Sequence, residues 1–437
     1  YGTKSFFYEY TASAEDSEFF YITVAFESYD YEREYVTNGP FIWKLNDSRE
    51  WVVHVDSNQD APVWQGNALI RHQNDLLALE GFSTIQGNLY ITKSSMITGL
   101  DNLLELADID GKLIITENSA LVSLAGLEGL STVNGSVQID FNEQLVDINA
   151  LKNTMSINGG LQLYWNDNLL SIEGLSGLSA FSGDVKMAVN RKLKNFDGLE
   201  NITYIAGKFQ ADTNSEITDI EGLRNVETID GSLILTMNGD LSNVDGLRNL
   251  THVGGQVLIR QNDSLTNIDG LNELASVGGD LTIASINNLE SLQGLEGLVT
   301  VSGSVELTRN PKIVDLSGLE QLESVEGFSI QFMSSLISIE ALANTSTNGG
   351  VIIYSNPSLE SMNGLENLTD LQHLWVSYNN ALESVQGLSG MVAVENDLRI
   401  NGNELLCNDL ALIVQDKILG NGGVGGDITI SQNKECQ

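Results

Sequence analysis

Two cysteines and four prolines in 437 residues are too few for a disulfide-dense module. No stretch approaches the roughly 18 uninterrupted apolar residues that a membrane span requires. Basic residues are scarce as well: 21 Lys and Arg stand against 59 Asp and Glu, a net charge of −38. Such an excess repels DNA, RNA and anionic lipid at long range, which disfavours nucleic acids and membrane surfaces as partners. The first residue is Tyr1 where a nascent chain carries Met, so the sequence reads as a mature, processed or trimmed form. At 42% hydrophobic residues, a chain of this length still buries a large core.

What the sequence has in abundance is repetition. A leucine recurs at Leu103, Leu127, Leu151, Leu175, Leu199, Leu223, Leu247, Leu271, Leu295 and Leu319, an unbroken 24-residue period, and continues at a step of 23 through Leu342, Leu365 and Leu388. Glycine keeps the same step from Gly87 to Gly327. Asparagine keeps it at Asn118, Asn142, Asn166, Asn190, Asn214, Asn238 and Asn262, then at Asn310, Asn356, Asn379 and Asn403. The unit is V-x-G-x-L-x-I-x-x-N-x-x-L-x-x-I-x-G-L-x-x-L.

A fixed period of this size means a solenoid, because each unit exposes an apolar edge that only its neighbours cover. The expected fold is mainly β: a parallel solenoid with a single strand per coil and about 14 coils. In Leu233-x-Leu235 and Val257-x-Ile259 the apolar letters alternate, so both side chains of a short strand point inward. Leu241, Val244, Leu247 and Leu250 come three apart, which suits turn-like or 3₁₀-like backbone. Gly231 and Gly246 are expected where the chain bends without a Cβ. The repeated asparagine follows the strand, where its amide bonds buried backbone of the turn and of the adjacent coil, making a ladder.

With these letters in place, the chain resembles the leucine-rich-repeat class, and within it the receptor L domains of insulin-receptor-type and fungal wall proteins. The glycine of V-x-G, as in Val133-Asn134-Gly135 and Val301-Ser302-Gly303, carries the L-domain likeness. So does the end of the chain, where NELLCNDLALIVQDKI (403–418) and GGDITISQNKEC (425–436) look like a helix-plus-last-strand cap. The resemblance covers residues 66–437. It implies a Cys407–Cys436 bridge closing that cap, extracellular recognition through strands or edge loops, and no catalysis. A bridge favours an oxidising compartment. Known L domains have about half as many coils, a departure that argues against a receptor fragment.

The pattern divides the chain. GNALIRHQNDLLALEGF (66–82) matches GQVLIRQNDSLTNIDGL (255–271), so the solenoid is expected over 66–403 and its C-terminal cap over 404–437. Residues 1–65 differ: they hold more than half of the aromatic residues, in runs such as FFYEY and EFFYITVAFESYDY that alternate at strand spacing. They read as a small aromatic-rich β layer or sandwich that covers the first coil, since an open solenoid end exposes core and strand edges. Pairing with another subunit is the alternative. Ser94, Ile286 and Met333 interrupt the asparagine series and coils from about 326 onward lose one residue, so local bends or less ordered coils are expected there.

Residues that carry chemistry do not assemble. His54, His72, His252 and His373 fall at unrelated phases of the repeat. Gly420, Gly422 and Gly425 match G-x-G-x-x-G, but the run follows a helix instead of joining a strand to one. Asp56, Asn58 and Asp60 are spaced like a calcium loop, yet Ala61 replaces its glycine and Asn67 its closing glutamate. No serine, histidine and acid arrangement and no P-loop is present, so the chain reads as non-enzymatic.

The period creates three surface features. Glu173, Asp197, Glu221, Asp245 and Asp269 precede the G-L pair in successive coils, a file of like charges ~5 Å apart; calcium bridging or screening is the sharper reading and a solvated ridge the plainer one. No other cofactor is implied. Outward strand positions are mixed and dotted with aromatics, among them Tyr90, Gln138, Asp140, Tyr164, Lys186, Gln210, Tyr354 and Trp375. This irregular face suits a protein or glycan ligand. Four sequons, at Asn201, Asn249, Asn344 and Asn367, share one phase and are glycosylation candidates. Two functional classes follow: an extracellular or cell-surface recognition or adhesion protein presenting a rigid surface, or a structural subunit of a filament, wall or surface layer assembling with copies of itself through the aromatic N-terminal segment.

Overall fold

The computed structural model describes residues 62–436 throughout and, before them, the backbone of Glu9–Thr11, Phe20–Thr23, Phe41–Leu45 and Trp51–Val53. Those four strands pair in that order, antiparallel, as one sheet. His54, Asp56, Asn58, Asp60 and Ala61 lie outside the described residues, as do the side chains that would cover the first coil. The chain forms two compact units, Tyr1–Leu178 and Ser179–Gln437.

Each coil is built alike. In Leu233–Thr236 the leucines are buried while Ile234 and Thr236 stay half exposed. Continued alternation would send residue 237 inward and 238 outward. The reverse happens, because Met237 adopts left-handed backbone, φ 54°. The inversion leaves Met237 exposed and swings Asn238 into the core. The same conformation recurs just after the strand at Lys93, Glu117, Phe141, Trp165, Val189, Thr213, Gln261, Ser285, Arg309, Phe332, Ser355 and Tyr378. An L-residue pays ~1–2 kcal/mol for it. Hydrogen bonds offset that cost: Met237 N–H donates to Arg260 O at 3.0 Å, and Asn238 N–H to Asn262 Oδ1 at 3.0 Å.

The asparagines therefore bond in both directions. Asn238 Oδ1 accepts Asn214 N–H at 3.0 Å, and its Nδ2 donates to Ala211 O at 3.1 Å in the preceding coil's strand. In the first unit Asn142 repeats this with Asn118 N–H and Ile115 O, at 3.1 and 2.9 Å. Near the end, Asn379 N–H donates to Asn403 Oδ1 and Asn403 N–H to Asn433 Oδ1. Asn433 lies outside the period because the C-terminal helix intervenes.

Beyond the asparagine, Leu241, Val244, Leu247 and Leu250 are all buried, with a 3₁₀ turn at Asp245–Leu247. The coil then forms a second strand of two residues, His252–Val253, where one strand per coil was expected. These short strands pair in parallel from Val63–Gln65 to Ser156–Ile157 in the first unit and from Ala180–Phe181 to Thr300–Val301 in the second. The longer strands pair in parallel from Ala68–Ile70 to Leu161–Tyr164, and from Val185–Ala188 to Ile428–Ser431.

One expectation is refined and one corrected. Gly231 sits in a bend and Gly246 in a 3₁₀ turn, as expected, but neither has positive φ, so the need for glycine is not one of backbone conformation. They mark close approach of coils. A Cβ on Gly231 would sit 2.6 Å from Gly207 C, and one on Gly246 would fall on the carbonyl oxygen of Ile220. The shortening near 326 does not bend the main sheet either: Ser304–Thr308 and Gly327–Gln331 pair over five residues in unbroken register. Between Thr300–Val301 and Asp370–Leu371 the short strand is reduced to single parallel bridges, Thr300 with Ser324 and Ser324 with Ser346, and the residue is lost between that position and the longer strand. Ile286 and Met333 stay fully buried in place of asparagine.

The helix Asn408–Gly420 buries Ala411, Val414 and Ile418, and Ile428–Ser431 pairs with Leu398–Asn401 as the last strand. A Cys407–Cys436 disulfide, Cα–Cα 5.3 Å, ties the start of this cap to its end.

Candidate functional site

Within the first unit, the outward strand face carries Tyr90, Gln138 and Tyr164. Gln138 and Gln162 lie opposite one another, and both side-chain amides donate to Asp140 Oδ2 at 2.6 Å. Tyr164 N–H donates to Asp140 Oδ1 at 3.0 Å. Asp140 itself, read as outward, is only 2% exposed. Burial pushes its carboxyl above the ordinary range, against the opposing hydrogen bonds of Gln162, Gln138 and Tyr164 N–H. Tyr90 lies on another strand and pairs with Ile114; its hydroxyl accepts Asn88 Nδ2 at 3.0 Å.

In the second unit, Lys186 pairs with Asp184 at 2.9 Å and faces Gln210 in register. Tyr354 and Trp375 occupy adjacent strands but are not opposite: Ser377 faces Tyr354, and Ile352 faces Trp375. Trp375 joins a cluster with Arg399, whose guanidinium lies 4.4 Å from its ring centroid, and with His373 at 5.9 Å. Arg399 bonds Asp397 at 2.8 Å, and the backbone N–H of Asp427 foremost, then Arg399, hold that carboxyl below the ordinary range. Trp375 Nε1 and His373 Nδ1 are buried without a hydrogen-bond partner.

Tyr354, an outward strand residue, also borders a second surface that alternation in the sequence conceals. The left-handed residues after each strand form a ridge, and several are exposed aromatics. Phe141 stacks on Trp165 at 6.0 Å and 11°. In the second unit Tyr354 meets Phe332 and Tyr378 edge to face, each at 5.4 Å, and Arg309 covers Phe332 at 4.8 Å. A shallow cavity of about 510 Å³ opens there, lined by Tyr354, Ser355, Pro357, Tyr378, Asn380, Gly402, Glu404 and Gln432. One sequence signal points to this ridge: Lys93, Glu117 and Arg309 occupy a phase that alternation assigns to the core.

The acids occupy equivalent turns. Glu173, Glu221, Asp245 and Asp269 each open a 3₁₀ turn, while Asp197 accepts Asn195 Nδ2 at 2.7 Å. Glu221 is bonded by Arg248 at 2.7 Å, which holds its carboxyl below the ordinary range. Among the described residues, the one grouping with three ligand atoms within 4.8 Å is Cys407, Asp409 and Cys436, whose sulfurs form the disulfide. At the sequon phase, Nδ2 of Asn249, Asn344 and Asn367 donates to carbonyls of Arg224, Glu320 and Ala343. Asn225, which opens no sequon, does the same to Glu200, so stacking itself favours asparagine there.

No family model and no curated protein matches the sequence. Among solved structures, a chain from a crystal structure of a TLR13–ssRNA13 complex is similar to this one at 15% identity and a TM-score of 0.32, over 84% of this chain and 66% of that one, just short of two thirds of its length.

Proposed function

We propose that the chain is a non-catalytic recognition protein of an oxidising exterior, whose strand face and strand-exit ridge engage a protein or glycan. The observation that carries this reading is the exposure of aromatic rings, Phe141 with Trp165 and Tyr378 beside the half-buried Tyr354, on positions fixed by backbone ladders on both sides. Rings held rigidly supply contact area at small entropic cost. The disulfide supports an oxidising compartment, and no helix among the described residues is long and apolar enough to cross a membrane. The excess negative charge argues against nucleic acid. The receptor L-domain subtype, the boundaries at 65 and 403, glycosylation of Asn201, Asn249, Asn344 and Asn367, and calcium along the acidic file belong to the same reading.

Joint replacement of Tyr164, Tyr354 and Trp375 by alanine is the test. Capture of ligand from a protein and glycan array is expected to vanish while the far-ultraviolet spectrum stays unchanged. A variant that captures as well as the parent overturns the reading. A melting temperature that chelator leaves unmoved removes calcium from it.

A further inference from the structure

We infer that the strand exits around Tyr378 form a subsite for a neutral oligosaccharide. The inference deepens the recognition reading above and rests on it. Tyr354 and Tyr378 stand at 71° to one another, and Phe332 holds Tyr354 from its other side at 72°. Both tyrosines are therefore oriented before any ligand arrives, which lowers the cost of binding.

Gly402 makes the arrangement local to this part of the ridge. Every ridge position from Lys93 to Tyr378 carries a side chain, and so does Gln432. Gly402, at φ 68°, does not, and a Cβ there would lie 2.7 Å from Cδ1 and 2.8 Å from Cε1 of Tyr378. The edge of the Tyr378 ring occupies the space that a side chain at 402 would fill, while Tyr378 remains 44% exposed. Tyr378 is thus seated on the backbone as part of the lining of the 510 Å³ cavity.

The lining selects the ligand class. An aromatic face packs against the C–H face of a pyranose ring. Asn380 and Gln432 each offer a donor and an acceptor, and Glu404 offers two acceptor oxygens, a set that matches neighbouring hydroxyls. No Lys, Arg or His lines the cavity, and Glu404 adds to a chain of net charge −38, so phosphorylated, sulfated and uronic ligands are repelled. A shallow, polar lining also suits a sugar better than an apolar small molecule, which needs an enclosed apolar site.

The experiment presents the full chain with neutral trisaccharides (cellotriose, maltotriose, mannotriose, chitotriose), a hyaluronan tetrasaccharide and an oligo-arginine peptide, with calorimetry on whatever binds. At least one neutral trisaccharide is expected to bind. Tyr378→Ala is expected to weaken it about tenfold or more, and Tyr378→Phe to stay within about threefold, because stacking and not the hydroxyl carries the contact. Gly402→Val is expected to match Tyr378→Ala by displacing the ring; Met155→Ala, at an exposed position away from the cavity lining, serves as the unaffected control. Tyr378 is exposed, so its variants stay informative if Gly402→Val fails to fold. Binding of only the acidic sugar, only the peptide, or no neutral sugar overturns the subsite. Affinity that survives Tyr378→Ala but is lost on joint replacement of Tyr164, Tyr354 and Trp375 overturns the subsite alone and leaves the recognition reading intact.

Discussion

Asn238 shows how much one position in a coil contributes. Its amide satisfies the N–H of Asn214 and the carbonyl of Ala211, both away from water. Asn238→Ala strips both partners, and each buried backbone group left unpaired costs about 1–3 kcal/mol, so urea unfolding should show a loss of about 2–6 kcal/mol. Ile286 and Met333 show that the stack survives such a loss at isolated coils. A cost below about 0.5 kcal/mol would mean that water replaces the amide.

Two carboxylates respond to pH in opposite senses. Asp140 has a raised pKa in the folded state, chiefly from burial, so its contribution is fully present below the unfolded value and is lost as pH rises through the folded one. Glu221 has a lowered pKa through Arg248; its contribution is present above the unfolded value and is lost as pH falls through the folded one. Denaturant melts across the acid range should therefore show Asp140→Asn removing a decline with rising pH, and Arg248→Ala removing a decline with falling pH. The same slope in both variants would contradict these environments.

Between coils, stacking is set by what the backbones permit at two kinds of residue. Glycine before the repeat leucine lets adjacent coils touch, and Gly246→Ala places a methyl on the carbonyl of Ile220. Neither side yields without opening the sheet, so the substitution is expected to cost more than the about 1–3 kcal/mol typical of overpacking. An alanine variant as stable as the parent would show that coils slide apart freely. The left-handed residue after the strand behaves oppositely. Ser285 sits at φ 56° with a small side chain. Ser285→Gly releases about 1–2 kcal/mol of strain against about 0.5–1 kcal/mol of added chain entropy, and thermal melting should show neutrality or a slight gain. A loss above about 1 kcal/mol would contradict the strain account.

Across the whole chain, a net charge of −38 sets the response to salt. Among the described residues, ion pairs such as Arg248–Glu221 and Lys186–Asp184 offset part of it. Raising ionic strength from about 0.01 to 0.15 M shortens the screening length from about 30 to 8 Å, so like charges on successive coils repel less. The melting temperature is expected to climb over that range. A flat response would mean that local bonds such as Asn195–Asp197 already compensate the charge.

Periodicity alone carried much of the architecture, because an inward leucine must recur wherever a coil closes on itself. Leu233, Leu235, Leu241, Val244, Leu247 and Leu250 are legible as core from spacing, and they are buried. The ridge of Phe141, Trp165, Phe332 and Tyr378 was not legible at those residues, because a left-handed φ inverts the parity on which alternation depends and an aromatic at a core phase reads as core; only the charged Lys93, Glu117 and Arg309 betray the phase. The burial of Asp140 and the seating of Tyr378 over Gly402 were likewise hidden. Both depend on which side chains a neighbouring coil brings alongside, and stacking in space decides that, not order along the chain.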